Sequence, residues 1–257
     1  MNQSTAPHHL HSILTQVRNS GQSQYSEGWA VALEAELGSI EFSKRHAEVV
    51  NLLSLTVQQL QALPERSRER FMRYVPAWWN AVIQPKVNWA DNGRAATNVA
   101  SLDILDHLES AADIISTSLR GSGDAPSGSG LDGISRQCEE WIELILGLDE
   151  ATIGEPLKGQ LVSQLRHVIW LIEHVDLFGE ARVSGETSRV IGSLVQASGV
   201  VAHRDPSSAG KWKSACVSLV AACLAFNAGV PVVQESIETG GNLVREIAAV
   251  VQDVQDN

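Results

Sequence analysis

Apolar residues return at every third or fourth position along most of this chain, the spacing of one face of an α-helix. No stretch shows the two-residue alternation, bounded by turn residues, that marks a β-hairpin. The pattern therefore predicts an all-α fold, a multi-helix bundle of about ten helices. In the first half it places helices at residues 8–19 and 28–37, the second ended by Gly38. Ser39 then caps a helix that runs to Leu63 and stops at Pro64. A helix follows over 65–83, interrupted by Pro76, then a loop over 85–96, then a helix over 97–119 capped by Thr97.

The clearest break is GSGDAPSGSGLDG at 121–133, with five Gly, three Ser and one Pro. Ordering such a stretch costs backbone entropy and buries nothing, so it reads as a flexible linker. Two arrangements follow: a helical subdomain at 1–120 and another at 134–257, or one bundle with a long loop. Beyond the linker, helices are expected at 134–146, at 156–178 with Pro156 in the first turn and Gly179 at the end, and at 186–202. Residues 203–210 read as a loop.

Two helices then close the chain, an apolar one at 214–230 and an amphipathic one at 232–254. Ser214 to Gln234 reads SACVSLVAACLAFNAGVPVVQ, 21 residues without a charge. A membrane span needs about 20 apolar residues, so length permits one. Energy is marginal: two Leu, one Phe and five Val favour insertion by roughly 3 kcal/mol together. Asn227, Gly229 and Pro231 oppose it. The segment is therefore read as the buried first arm of a helical hairpin, with triggered membrane insertion as the second reading. In the second arm Val233, Ile237, Val244, Ile247, Val251 and Val254 recur in steps of four and three, with Gly240 at the remaining seam position. That is a coiled-coil seam of about three heptads. Leu219, Ala222, Leu224, Phe226, Ile237, Val244, Ile247 and Val251 are the residues expected to carry oligomerisation or membrane contact.

Charge narrows the classes. The chain of 257 residues carries 19 basic and 30 acidic side chains, a net of −11. Nucleic-acid binding, which needs positive charge to displace phosphate counterions, is excluded as a general role. Residues 1–120 hold 10 basic and 12 acidic groups, and residues 121–257 hold 9 and 18, so the nets are −2 and −9. Three cysteines are too few for a disulfide framework, and the first twenty residues lack a basic segment followed by an apolar one. A cytoplasmic protein is expected, with membrane association only through the C-terminal segment.

Candidate chemistry is sparse. Asp103, Asp106 and His107 share a helix side with Ser110 and Asp113, a spacing that suits a divalent metal but equally a solvated helix face. His167 and His174 are two turns apart, too far to share one zinc without a third element. His8, His9 and His11 would offer only adventitious metal binding at a mobile terminus. Cys216 and Cys223 lack a basic activator and are expected to be inert. Arg66, Arg70 and Arg73 form a basic face beside Phe71, Tyr74 and Trp78, and Arg66, Arg70, Arg73 and Trp78 are the expected partner-binding residues. Neither a phosphate-cradling glycine loop nor a nucleophile elbow occurs.

The expectation is a non-enzymatic helical effector or regulator that acts on a protein partner, in the manner of a toxin or defence effector. It needs no cofactor, and its C-terminal hairpin self-associates or enters a membrane on triggering. The alternative is a soluble helical immunity or adaptor protein. A metal-dependent enzyme centred on Asp103, Asp106 and His107 is a third, minor reading.

Overall fold

The computed structural model describes residues 5–83, 96–118 and 130–228. These form α1 (Ala6–Asn19), α2 (Tyr25–Ala32), α3 (Ile40–Gln61), α4 (Glu65–Met72), α5 (Val75–Ile83), α6 (Ala96–Val99), α7 (Leu102–Ser118), α8 (Leu131–Leu146), α9 (Glu155–Glu173), α10 (Val175–Phe178), α11 (Glu180–Arg204) and α12 (Pro206–Ala228). No strand occurs among the described residues, and the fold is all-α. The helices fall into two compact units. Unit 1 holds α1 to α7 together with Asp176–Gly179, and unit 2 holds α8, α9, α11 and α12.

Unit 1 is built around α1, which packs on α2, α3, α6 and α7. Its buried residues Leu10, Ile13, Leu14 and Val17 make one helical face. α3 begins where the sequence indicates, with the Ser39 hydroxyl accepting from the Phe42 amide at 3.0 Å. It gathers α4, α5 and α7. Four expected boundaries move, the first being the end of α2, which falls at Ala32 and not at Leu37 before Gly38. Gly28 lies inside α2 instead of starting it, because a Cβ there would stand 2.9 Å from Ser20 Oγ and 3.1 Å from the Val17 carbonyl. Its lack of a side chain serves the approach of α1. The break in the 65–83 helix falls at Arg73–Tyr74, and Pro76 sits in the first turn of α5, where its missing N–H costs no hydrogen bond. The 97–119 helix is divided at Ala100–Ser101, and the guanidinium of Arg18 takes up the carbonyls freed there, Thr97 and Ala100, both at 2.7 Å.

Unit 2 is a four-helix bundle. α8 packs on α9, α9 on α11, α11 on α12, and α12 back on α8. Its core residues keep a four-three rhythm: Ile134, Cys138, Trp141 and Ile145 on α8, Leu161, Leu165 and Val168 on α9, Val190, Leu194, Ala197 and Val201 on α11, Trp212, Cys216 and Leu219 on α12. At its centre Trp141 and Trp212 meet edge to face, centroids 4.7 Å apart at 80°. Each indole also donates to a backbone carbonyl, Trp141 to Ala215 at 3.3 Å and Trp212 to Leu194 at 3.1 Å.

Four expectations change here: the helix expected over 156–178 breaks at His174 into α9 and α10, the one expected at 186–202 begins six residues earlier at Glu180, and two loop readings become helix. Residues 131–133, read as linker, are the first turn of α8. The loop expected at 203–210 shrinks to Asp205, because Asp-Pro-Ser-Ser is a helix start: the Asp205 carboxylate accepts from the Ser207 amide at 3.1 Å and the Ser208 amide at 3.3 Å, and Pro206 opens the helix. The apolar segment is thus the later part of a helix that begins eight residues earlier than expected. Residues 121–129 of the linker and the 232–254 helix lie outside the described residues.

Candidate interaction surfaces

α4 joins the fold by one buried side chain, Phe71. Ser67, Arg68 and Met72 are half-buried, while Arg66, Arg70 and Arg73 are all exposed. The Arg70 guanidinium lies 5.4 Å from the Phe71 ring centroid, which limits its freedom without removing it from solvent. From Glu65 to Arg73 four arginines stand against two glutamates, a local charge of +2 on a chain of −11. Trp78 does not belong to this surface. It is fully buried and its indole donates to the Ile104 carbonyl at 2.9 Å, so it anchors α5 to α7. The aromatic exposed nearby in sequence is its neighbour Trp79, at 45%. The sequence shows two adjacent tryptophans, and only packing decides which one turns inward.

The acidic face of α7 is solvated. Asp103 and Asp106 are exposed. His107 lies 3.7 Å from the Asp103 carboxylate and stacks on the Tyr74 ring at 3.7 Å between centroids. Among the described residues no three His, Cys, Asp or Glu side chains gather as a metal would require. His167 and His174 each stack on Trp170, with centroids 5.7 Å and 4.4 Å away. The N-terminal histidines are not on a loose terminus: His8 accepts from the Thr5 amide at 3.2 Å, and His9 is half-buried.

The helix α12, uncharged from Ser214 onward, is one-sided in its packing. Leu219 and Phe226 are fully buried, as are Trp212 and Cys216 to within a few per cent, and Ala222 is partly covered. Leu224 is 39% exposed, and Ser214 and Ser218 are exposed as well. No helix among the described residues is long and apolar enough to cross a membrane. Burial pushes the thiols of Cys138 and Cys216 up to about 12, far from the range of a reactive nucleophile. Ile237, Val244, Ile247 and Val251 lie outside the described residues.

One charged feature had no sequence signal. Arg182 and Glu186 are both buried on α11 and pair at 3.0 Å, with Arg189 reaching Glu186 at 3.3 Å. Their i, i+4 spacing is also that of an ordinary surface pair, so burial alone sets them apart. Comparison of the chain with protein-family models, with curated proteins and with solved structures returns no match.

Proposed function

We propose that this protein is a non-enzymatic helical regulator or effector that works by binding an acidic surface of a protein partner through α4. The observation that carries the reading is the α4 helix itself: eight residues, one of them buried, presenting Arg66 and Arg70 to solvent with Arg73 at its end. A helix so lightly attached contributes little to the core, and guanidinium groups suit bidentate pairing with carboxylates. The apolar side of α12 is already used by the bundle, which favours protein contact over membrane insertion. Withdrawing Trp212, Leu219 and Phe226 into a bilayer would first require breaking unit 2.

The test is the triple variant Arg66→Glu, Arg70→Glu, Arg73→Glu in the full chain, compared with wild type by in-cell crosslinking and by thermal unfolding. The partner crosslinks should disappear in the variant while the unfolding temperature stays within a few degrees. An unchanged set of crosslinks in a folded variant would remove α4 as the binding surface.

A further inference from the structure

The described chain leaves unit 2 for four residues, Asp176–Gly179, and these belong to unit 1. Phe178 is buried there, 1% exposed. Gly179 follows in the left-handed region at φ +83°, and its missing Cβ is replaced by the imidazole of His9: any side chain at 179 would overlap that ring. The His9 ring also hydrogen-bonds the Leu177 backbone. One histidine of α1 thus touches both ends of the Leu177–Gly179 corner, and it is half-buried there.

We propose that the seating of α10 on α1 is a proton-sensitive latch, closed while the His9 imidazole is neutral and opened when it is protonated. Protonation places a full charge in a half-buried site from which much of its hydration has been removed. The groups facing His9 divide. His8, beside it on α1, opposes the charge, and it is itself 3.7 Å from Asp113 of α7. The Leu177 backbone and the Asp176 carboxylate favour the charge. Burial is the largest of these influences and holds the His9 pKa below its usual 6.5. If α10 departs, His9 regains water and its ordinary proton affinity. Proton binding and α10 docking therefore compete, and each weakens the other by the same factor.

Hydrogen exchange of the full-length protein at pH 7.5 and pH 5.5, corrected for the intrinsic rate, tests this. Amides in α10 and in the first two turns of α1 should lose protection in acid, by up to about tenfold per pH unit, while α3 keeps its own. His9→Gln, neutral at both pH values, should remove the acid response, and His8→Gln should keep the response, weakened only by the loss of the charge opposing His9. Gly179→Ala, which drives a methyl into the imidazole, should lose α10 protection at pH 7.5 already. The latch is refuted if wild-type α10 is equally protected at both pH values, or if His8→Gln abolishes the response. It is refuted as well if Gly179→Ala protects α10 as wild type does.

Discussion

Unit 2 is made of four helices of 16, 19, 25 and 23 residues, whereas unit 1 is assembled mostly from helices of 4 to 17 residues around the single long α3. The difference teaches how helix length decides what must hold a fold together. Every helix end leaves about four N–H or C=O groups without intrahelical partners. Unit 1 has many ends, and side chains from distant elements close them. Arg18 takes the carbonyls of Thr97 and Ala100, Arg45 takes Leu33 at 2.7 Å, Tyr25 takes Ala81 at 2.6 Å and His46 meets Val82 at 3.0 Å. Unit 2 has fewer ends and relies on four apolar stripes that interlock about Trp141 and Trp212.

The largest effect should come from Trp212→Ala. It removes a fully buried indole, its edge-to-face partner contact and its bond to Leu194. A loss of about 3–5 kcal/mol is expected. Urea unfolding followed by hydrogen exchange should show the loss in α8, α9, α11 and α12. An equal loss across α1 to α7 would mean that the two units unfold as one and that the contrast has no energetic content.

The units should also fail at opposite ends of the pH scale. In unit 2 burial raises Cys138 and Cys216 to about 12 from 9.0. A folded pKa above the unfolded one gives stability that is complete below the unfolded value and is lost as pH rises. By pH 10 each thiol should cost unit 2 roughly 1 kcal/mol. In unit 1 burial lowers His9 and His46, the second also bonded to Val82. Here the unfolded chain binds protons more readily, so stability is complete above the usual 6.5 and falls as pH drops below it. Guanidinium titrations at pH 5.5, 7.5 and 10, read by exchange in each unit, check both signs. Alkaline weakening confined to unit 1 would reverse the comparison.

A smaller effect is expected at one stitch of unit 1. Tyr25→Phe deletes only the hydroxyl that donates to the buried Ala81 carbonyl, and it should cost about 1–2 kcal/mol. Thermal unfolding of the variant measures it. A neutral result would show that helix ends in unit 1 are closed by water as effectively as by side chains.

The interior of unit 2 was legible because a four-three spacing is a property of neighbouring positions: Leu161, Leu165 and Val168 announce their face without reference to the partner. The Ser39 cap was legible for the same reason, since donor and acceptor lie three residues apart. Arg18 was not, because its acceptors are 79 and 82 residues away. Trp78 and Trp79 carry the same chemistry in adjacent positions, and burial separates them only once α7 is in place. The basic face of α4 could be read from i, i+4 and i+7 spacing, while its attachment through the buried Phe71 could not. The excursion of Asp176–Gly179 into unit 1 left a local trace only at Gly179, which the sequence offers equally as an ordinary helix end.

The smallest effect tests a signal that was local and still overlooked. Asp205-Pro206-Ser207-Ser208 satisfies every rule for a helix start, yet its two serines, Asp and Pro also have the composition of a loop. Geometry separates the two readings, because the Asp205 carboxylate turns onto the Ser207 and Ser208 amides instead of toward solvent. The hydroxyls of Ser207 and Ser208 foremost, and then those two amides, hold its pKa below the usual 3.8. Asp205→Ala should therefore loosen the first turn of α12, seen as faster amide exchange at 207–210, with the bundle core unchanged. Asp205→Asn keeps the capping oxygen and loses the charge, and exchange there should stay close to wild type. If Asn behaves like Ala, the carboxylate acts through its charge at the helix N-terminus, and the hydrogen-bonded cap is not what starts α12.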